Sequence, residues 1–207
     1  MSQDLGPWDP LSPAQVTHLL NRVAVPWWIA GGWAVDLHLG YSTRTHDDVD
    51  VLVLRDDLPA LREHLTGWDL HAADPPGILR PWPAGEVLSA HVSDIWCRPT
   101  QTSPWALQLM IDDVDAGGQQ WIYRHDDRVR RPWRSLDGPS SAPGRAVLAP
   151  EVQLLYKSVG SRPKDKADFL QLLTVLADEQ RSWLSQALRV SAGDHRWLQP
   201  LDVSGAQ

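Results

Sequence analysis

Two aspartates one residue apart, Asp48 and Asp50, close a polar stretch and open the apolar run Val51-Leu52-Val53-Leu54. In a strand, residues two apart project from the same face, their Cα atoms about 7 Å apart, so a carboxylate pair at this spacing can share divalent cations. At the end of an otherwise apolar strand such a pair repels itself and is costly to bury unless a cation is present. Taken alone, an acidic strand end solvated by water explains it equally well. The glycine pair Gly31-Gly32, fifteen residues ahead of Asp48, changes that balance. A glycine turn leading into a helix presents bare backbone N–H groups and the positive helix end, which together favour an anion. A phosphate cradle beside a metal site is the combined reading.

The elements that must position these residues follow from local pattern. Ser12 as N-cap and Pro13 at the first helical position open a helix over 13–22. The apolar run 25–30 reads as a strand, Gly31-Gly32 as a turn, and 33–39 as a helix closed by Gly40. A strand over 48–54 and a helix over 58–65 capped by Asp57 come next, followed by strands at 67–72, 92–98, 105–112 and 119–123. Residues 135–146, rich in Ser, Pro and Gly, read as a mobile connector. Helical segments are expected at 151–159, 164–176 and 179–190. The fold class is therefore α+β, with a core over 1–134, a connector over 135–149 and a small helical unit over 150–207.

Composition narrows the function. Residues 1–115 hold 16 acids and 6 bases, whereas the remainder holds 10 acids and 13 bases, so the halves carry about −10 and +3. An acidic first half argues against duplex DNA held by phosphate contacts over a broad basic face. No stretch approaches the ~18 to 20 apolar residues of a membrane span, and Met1–Pro10 has neither the basic nor the apolar region of a signal peptide, so a cytoplasmic protein is expected. The single cysteine, Cys97, is expected to be a buried thiol. Trp28 and Trp33 are read as core filler rather than base-stacking platforms.

The residues Trp28-Ile29-Ala30-Gly31-Gly32-Trp33-Ala34-Val35-Asp36, then Leu39-Gly40 and Thr43-Arg44-Thr45-His46-Asp47-Asp48-Val49-Asp50, form one longer signature. It resembles the glycine-to-carboxylate motif of the aminoglycoside 2''-adenylyltransferases and lincosamide nucleotidyltransferases, within the DNA polymerase beta-like nucleotidyltransferase superfamily. The resemblance implies a mixed sheet with flanking helices, a triphosphate bound at Gly31 and Gly32, and two Mg²⁺ held by Asp48 and Asp50. It also implies ATP as co-substrate and a small-molecule hydroxyl as acceptor. Arg44, in the loop leading to Asp48, has an even claim to a phosphate contact. A second, shorter match covers Pro150-Glu151, Leu154, Lys157, Arg162-Pro163-Lys164-Asp165 and Asp168, and it places Lys157 toward the nucleotide. Lys164 and Lys166 are read as a solvated helix start.

One position departs from the family. A third carboxylate, the base that takes the acceptor's proton, usually stands in a later strand, and the aligned residue here is Gln108, whose amide cannot do this. Asp94 in the preceding strand is the first substitute. Asp112 shares a face with Gln108 but lies about 13 Å farther along an extended strand, and the absence of any third carboxylate is also open. The arginines Arg124, Arg128, Arg130, Arg131 and Arg134 read as a solvated charged loop, with contact to a phosphate or an acidic acceptor as the alternative. Transfer to tRNA or protein, and nucleotide binding without catalysis, stand as alternatives to a small acceptor. The oligomeric state is open.

Overall fold

The computed structural model describes residues 5–160 and 162–203. Its centre is a mixed sheet of β1 (Trp27–Ile29), β2 (Asp50–Leu54), β3 (Asp69–Ala73), β4 (Leu79–Pro81), β5 (Asp94–Arg98), β6 (Leu107–Val114), β7 (Gln120–Ile122) and β8 (Arg130–Pro132). The spatial order is β1-β2-β6-β5-β3-β4, and β7 with β8 forms a ribbon extending from β6. The β2 and β6 strands run parallel and all other pairs antiparallel. Parallel pairing places Asp50 directly beside Gln108.

Seven helices cover the sheet among the described residues: α1 (Pro13–Leu20), α2 (Gly31–Leu39), α3 (Leu58–His64), α4 (Pro150–Ser158), α5 (Pro163–Leu172), α6 (Asp178–Ala192) and α7 (Leu198–Val203). Strand alternation divides the buried side chains between two cores. Val51, Val53, Ile95, Leu107 and Leu109 pack with Val16 and Leu20 of α1 and Leu58 and Leu61 of α3. On the other face, Leu52, Leu54 and Trp121 pack with Val35, Leu154, Leu155, Phe169 and Leu188. The face that carries Asp50 is therefore the face roofed by α4, α5 and α6. Ser12 caps α1 reciprocally with Gln15, as expected of its type, whereas Asp57 makes no side-chain cap to α3. Cys97 is fully buried, and burial pushes its thiol well up, leaving it inert.

Three expectations change. Regular β2 begins at Asp50, so Asp48 stands in the approach to the strand, although Gln108 N–H donates to the Val49 carbonyl and continues the ladder. The connector is pinned rather than mobile: Ile29 pairs with Val147, Asp137 with Leu148, and the Trp28 indole donates to Asp137 at 2.6 Å. Its apolar residues Leu136, Val147 and Leu148 are fully buried, which a reading of its Ser, Pro and Gly content overlooks. Strands β4 and β8 and helix α7 were not anticipated, being only three to six residues long. No helix among the described residues is long and apolar enough to cross a membrane.

Candidate active site

A cleft of about 330 Å³ opens where the start of β2, the first turn of α2 and the helices α4 and α5 converge. Gly31, Gly32, Arg44, Asp48, Asp50 and Lys157 all line it, so six of the seven residues expected at the site meet there. The seventh, Asp94, lies outside the lining, on β5 of the same sheet, two strands from Asp50 and paired with Met110 of β6. Gln108, Met110, Arg124, His125, Gln153, Tyr156, Arg162 and Lys164 complete the walls.

The glycines are there because side chains crowd onto them. Gly31 has φ +66°, and a Cβ built on it would lie 2.1 Å from Asp50 Oδ2. A Cβ on Gly32 would meet His46 Nδ1 at 2.3 Å and an Arg44 terminal nitrogen at 2.6 Å. The turn thus lets a carboxylate and a guanidinium approach the backbone closely. The Gly31 N–H is already taken by Gln153 Oε1 at 2.7 Å, while the following first-turn amides of α2 have no intrahelical acceptor. The approach loop is held by Asp36, which accepts from Thr43 N–H at 3.1 Å, Thr43 Oγ1 at 2.7 Å and His46 Nε2 at 2.7 Å. Burial raises the Asp36 pKa, but these donors outweigh it and hold the carboxyl below the ordinary value. Trp28 is core, as expected, and Trp33 lies against the His46 ring at 4.7 Å.

Asp50 is in the opposite situation. No hydrogen-bond donor reaches its carboxylate among the described residues, and its pKa is pushed up to about 7 by the protein crowded around it, by Asp48 and by Asp94. Lys157 and Arg124 offset this only in part. A crowded, donorless carboxylate beside a second one fits a divalent cation. No group of three or more His, Cys, Asp or Glu among the described residues is arranged to hold a metal.

The cationic wall is also built from buried pairs. Lys157 Nζ lies 2.7 Å from Asp168 and 3.7 Å from Asp165, with all three side chains nearly or fully buried. Arg44 reaches Asp168 at 3.5 Å and Arg162 grips Asp165 at 2.7 Å. Asp165 and Asp168 therefore hold the basic groups, and Lys164, expected in a solvated helix start, lines the cleft.

Arg124, expected in a solvated loop, instead lines the cleft. Its Nε donates to Asp112 at 2.8 Å, its Nη1 lies 3.6 Å from Asp94, and it sits over the Tyr156 ring. Asp112 is fully buried and also accepts from the Trp121 indole at 2.5 Å and from the Tyr156 hydroxyl. That saturation removes Asp112 as a substitute base. The available signal was Asp112 itself, since an aspartate inside an apolar strand requires a cation from elsewhere in the chain. Asp94 accepts from the Gln108 amide at 3.0 Å and from Ser93 at 3.1 Å. Arg128 and Arg130 are exposed, as expected of a solvated loop, with Arg128 binding Asp126 and Arg130 approaching Asp127, whereas Arg131 also turns inward, to the buried Glu151 at 2.8 Å and over the Trp183 ring.

This mixed sheet with a helical roof is a nucleotidyltransferase fold. It matches the crystal structure of the lincomycin-bound lincosamide antibiotic adenylyltransferase LnuA over 79% of this chain and 95% of that one, with a TM-score of 0.53 and 16% identity. A crystal structure of ANT(2")-Ia in complex with adenylyl-2"-tobramycin aligns over 84% and 93% of the two chains, with a TM-score of 0.45 and 18% identity. Residues 14–71 match the family model for aminoglycoside-2''-adenylyltransferase, so the segment that shapes the glycine turn and the carboxylates carries that family's signature. A 2''-aminoglycoside nucleotidyltransferase of Klebsiella pneumoniae is 48% identical over 56 residues, 26% of this chain and 32% of that protein. One from Escherichia coli is 48% identical over 46 residues, 21% of this chain and 26% of that protein. The aligned segment spans about a third or less of these relatives.

Proposed function

We propose that this chain is a Mg²⁺-dependent nucleotidyltransferase that transfers AMP from ATP to a hydroxyl of a small molecule, with aminoglycoside-like or lincosamide-like antibiotics as candidate acceptors. The observation that carries the reading is one cleft holding a donorless carboxylate beside a second, opposite Arg44, Arg124, Lys157 and Arg162. Such a cleft is complementary to a metal-bound triphosphate, because it offers anions to the cation and cations to the phosphates. The match of residues 14–71 to the adenylyltransferase family model supports it.

Asp48 and Asp50 would hold the metal, which when bound neutralises triphosphate charge and lowers the pKa of the attacking hydroxyl. The first-turn amides of α2 beyond Gly31 offer donors to a phosphate, and Gly31 keeps the turn tight against Asp50. Lys157 and Arg44, fixed by Asp168, place positive charge on the phosphate side without needing to move. Asp94, held by Gln108 on the far side of β6, adds a third negative charge near Asp50 without lining the cleft. In-line displacement at the α-phosphorus needs positioning and charge neutralisation more than covalent help. The units 1–134 and 150–207 contribute opposite walls, the first the carboxylates and Arg124, the second Lys157 and Arg162. The acceptor enters between them.

A pyrophosphate-release screen with four nucleoside triphosphates against tobramycin, lincomycin and total tRNA tests this reading. Magnesium-dependent release with ATP and a small acceptor is expected. Release only with tRNA would move the acceptor to a macromolecule, and no release in any combination would remove the enzymatic reading.

A further inference from the structure

The acceptor's proton has no evident destination among the carboxylates. Gln108 cannot take it. Asp112 is filled by three donors, and Asp94 is engaged by Gln108 and Ser93 with Arg124 beside it, outside the residues that line the cleft. His125 stands differently. Following β7, it lines the catalytic cleft and also a neighbouring depression of about 510 Å³, whose walls include Asp113, Ile122, Tyr123 and Asp127. Only Arg124 shares that double position. The Tyr123 and Tyr156 rings meet the imidazole edge-on at 5.2 and 6.4 Å. No hydrogen bond engages either ring nitrogen among the described residues, so the imidazole is oriented by packing and left open to a substrate.

We propose that His125 is the general base that accepts the proton of the attacking hydroxyl, from an acceptor seated in the depression beside the cleft. This rests on the nucleotidyl-transfer reading. In the step, the acceptor O–H bond breaks and its proton moves to an imidazole nitrogen. The oxygen forms a bond to the α-phosphorus of the nucleoside triphosphate, and the α–β bridging P–O bond breaks with its electron pair leaving on pyrophosphate. The surroundings favour the neutral, proton-accepting ring. Partial burial and the Arg124 guanidinium push its pKa down, with Asp112 and Asp94 opposing. Neighbouring Asp126 is bound by Arg128, and the Tyr123 and Tyr156 phenols are pushed up and stay neutral. A neutral imidazole near the operating pH is the protonation state general-base catalysis requires.

The test uses the full chain with Mg–ATP, the acceptor panel above, and the variants His125→Gln and His125→Ala, both at an exposed position and both checked for an unchanged urea midpoint. Pyrophosphate release is expected to fall about 100-fold in kcat, with ATP affinity unchanged and added imidazole restoring part of the His125→Ala loss. NMR of the ring nitrogens in the wild-type chain should show a neutral imidazole at pH 7 whose signals move when acceptor is added. Unchanged kcat in both variants, a loss that imidazole does not restore, or a protonated ring at pH 7 would each overturn the proposal while leaving the transferase reading intact. A wild-type chain that binds no ATP and releases no pyrophosphate overturns the transferase reading itself.

Discussion

Asp50 and Asp112 lie on the same face of the parallel pair β2 and β6, one at each end, and their surroundings are opposites. Asp112 is fully enclosed and satisfied by an indole, a phenol and a guanidinium. Asp50 meets no donor among the described residues and faces two further carboxylates. The first arrangement is a finished internal salt bridge, whose removal leaves a buried charge uncompensated. The second is electrostatically incomplete, which is what a site for an incoming cation looks like before the cation arrives. The contrast separates a carboxylate that holds the fold from one that serves a ligand, although both interrupt apolar strands.

The sharpest way to break this comparison is to neutralise each end. Asp112→Ala should destabilise the protein by about 3 to 5 kcal/mol, because Arg124 loses its principal counter-charge, as read from the midpoint of urea unfolding. Asp50→Asn should leave the metal-free midpoint unchanged or raise it, while lowering metal affinity at least about 100-fold. Equal destabilisation by the two would erase the distinction. Lys157→Met comes next: Asp165 and Asp168 are left with Arg162 and Arg44 alone, at a cost of about 3 kcal/mol, together with weaker nucleotide binding by calorimetry. Gly31→Ala should cost about 1 kcal/mol from the positive φ alone, and more from the contact with Asp50, seen as a lower melting temperature and reduced turnover.

The smallest effect is a pH dependence. Asp36 has a depressed pKa in the fold, so its contribution is present above the ordinary carboxylate pKa and is lost as pH falls through the folded value. Asp36→Asn should therefore narrow the stability difference between neutral and acidic pH, measured by urea midpoints at pH 6 and pH 3. An unchanged difference would show that Asp36 does not titrate differently in the folded and unfolded states.

Much of the site was legible because it is local. Gly31, Gly32, Asp48 and Asp50 lie within twenty residues, and the glycine turn and strand that present them are set by spacing. Lys157 could be placed from a short helical pattern. What could not be read is the pairing across the fold. Arg124 belongs to Asp112 and Asp94, and Lys157 to Asp165 and Asp168, only after β6, β7 and α4 have packed. Nothing in a run of arginines marks which one turns inward. The pinned connector escaped for the same reason, since its order comes from β1 rather than from its own composition. His125 carries no local signal at all, and its relevance appears only where two cavities meet.

The cleft is electrostatically complete only with a metal-bound triphosphate in it. Calorimetric titration of ATP into the wild-type chain and into Asp50→Asn, each with and without Mg²⁺, addresses this directly. The account predicts saturable binding by wild type that depends on Mg²⁺, and its loss in a variant that remains folded. Binding that survives unchanged in Asp50→Asn, or no binding by wild type under either condition, would contradict it.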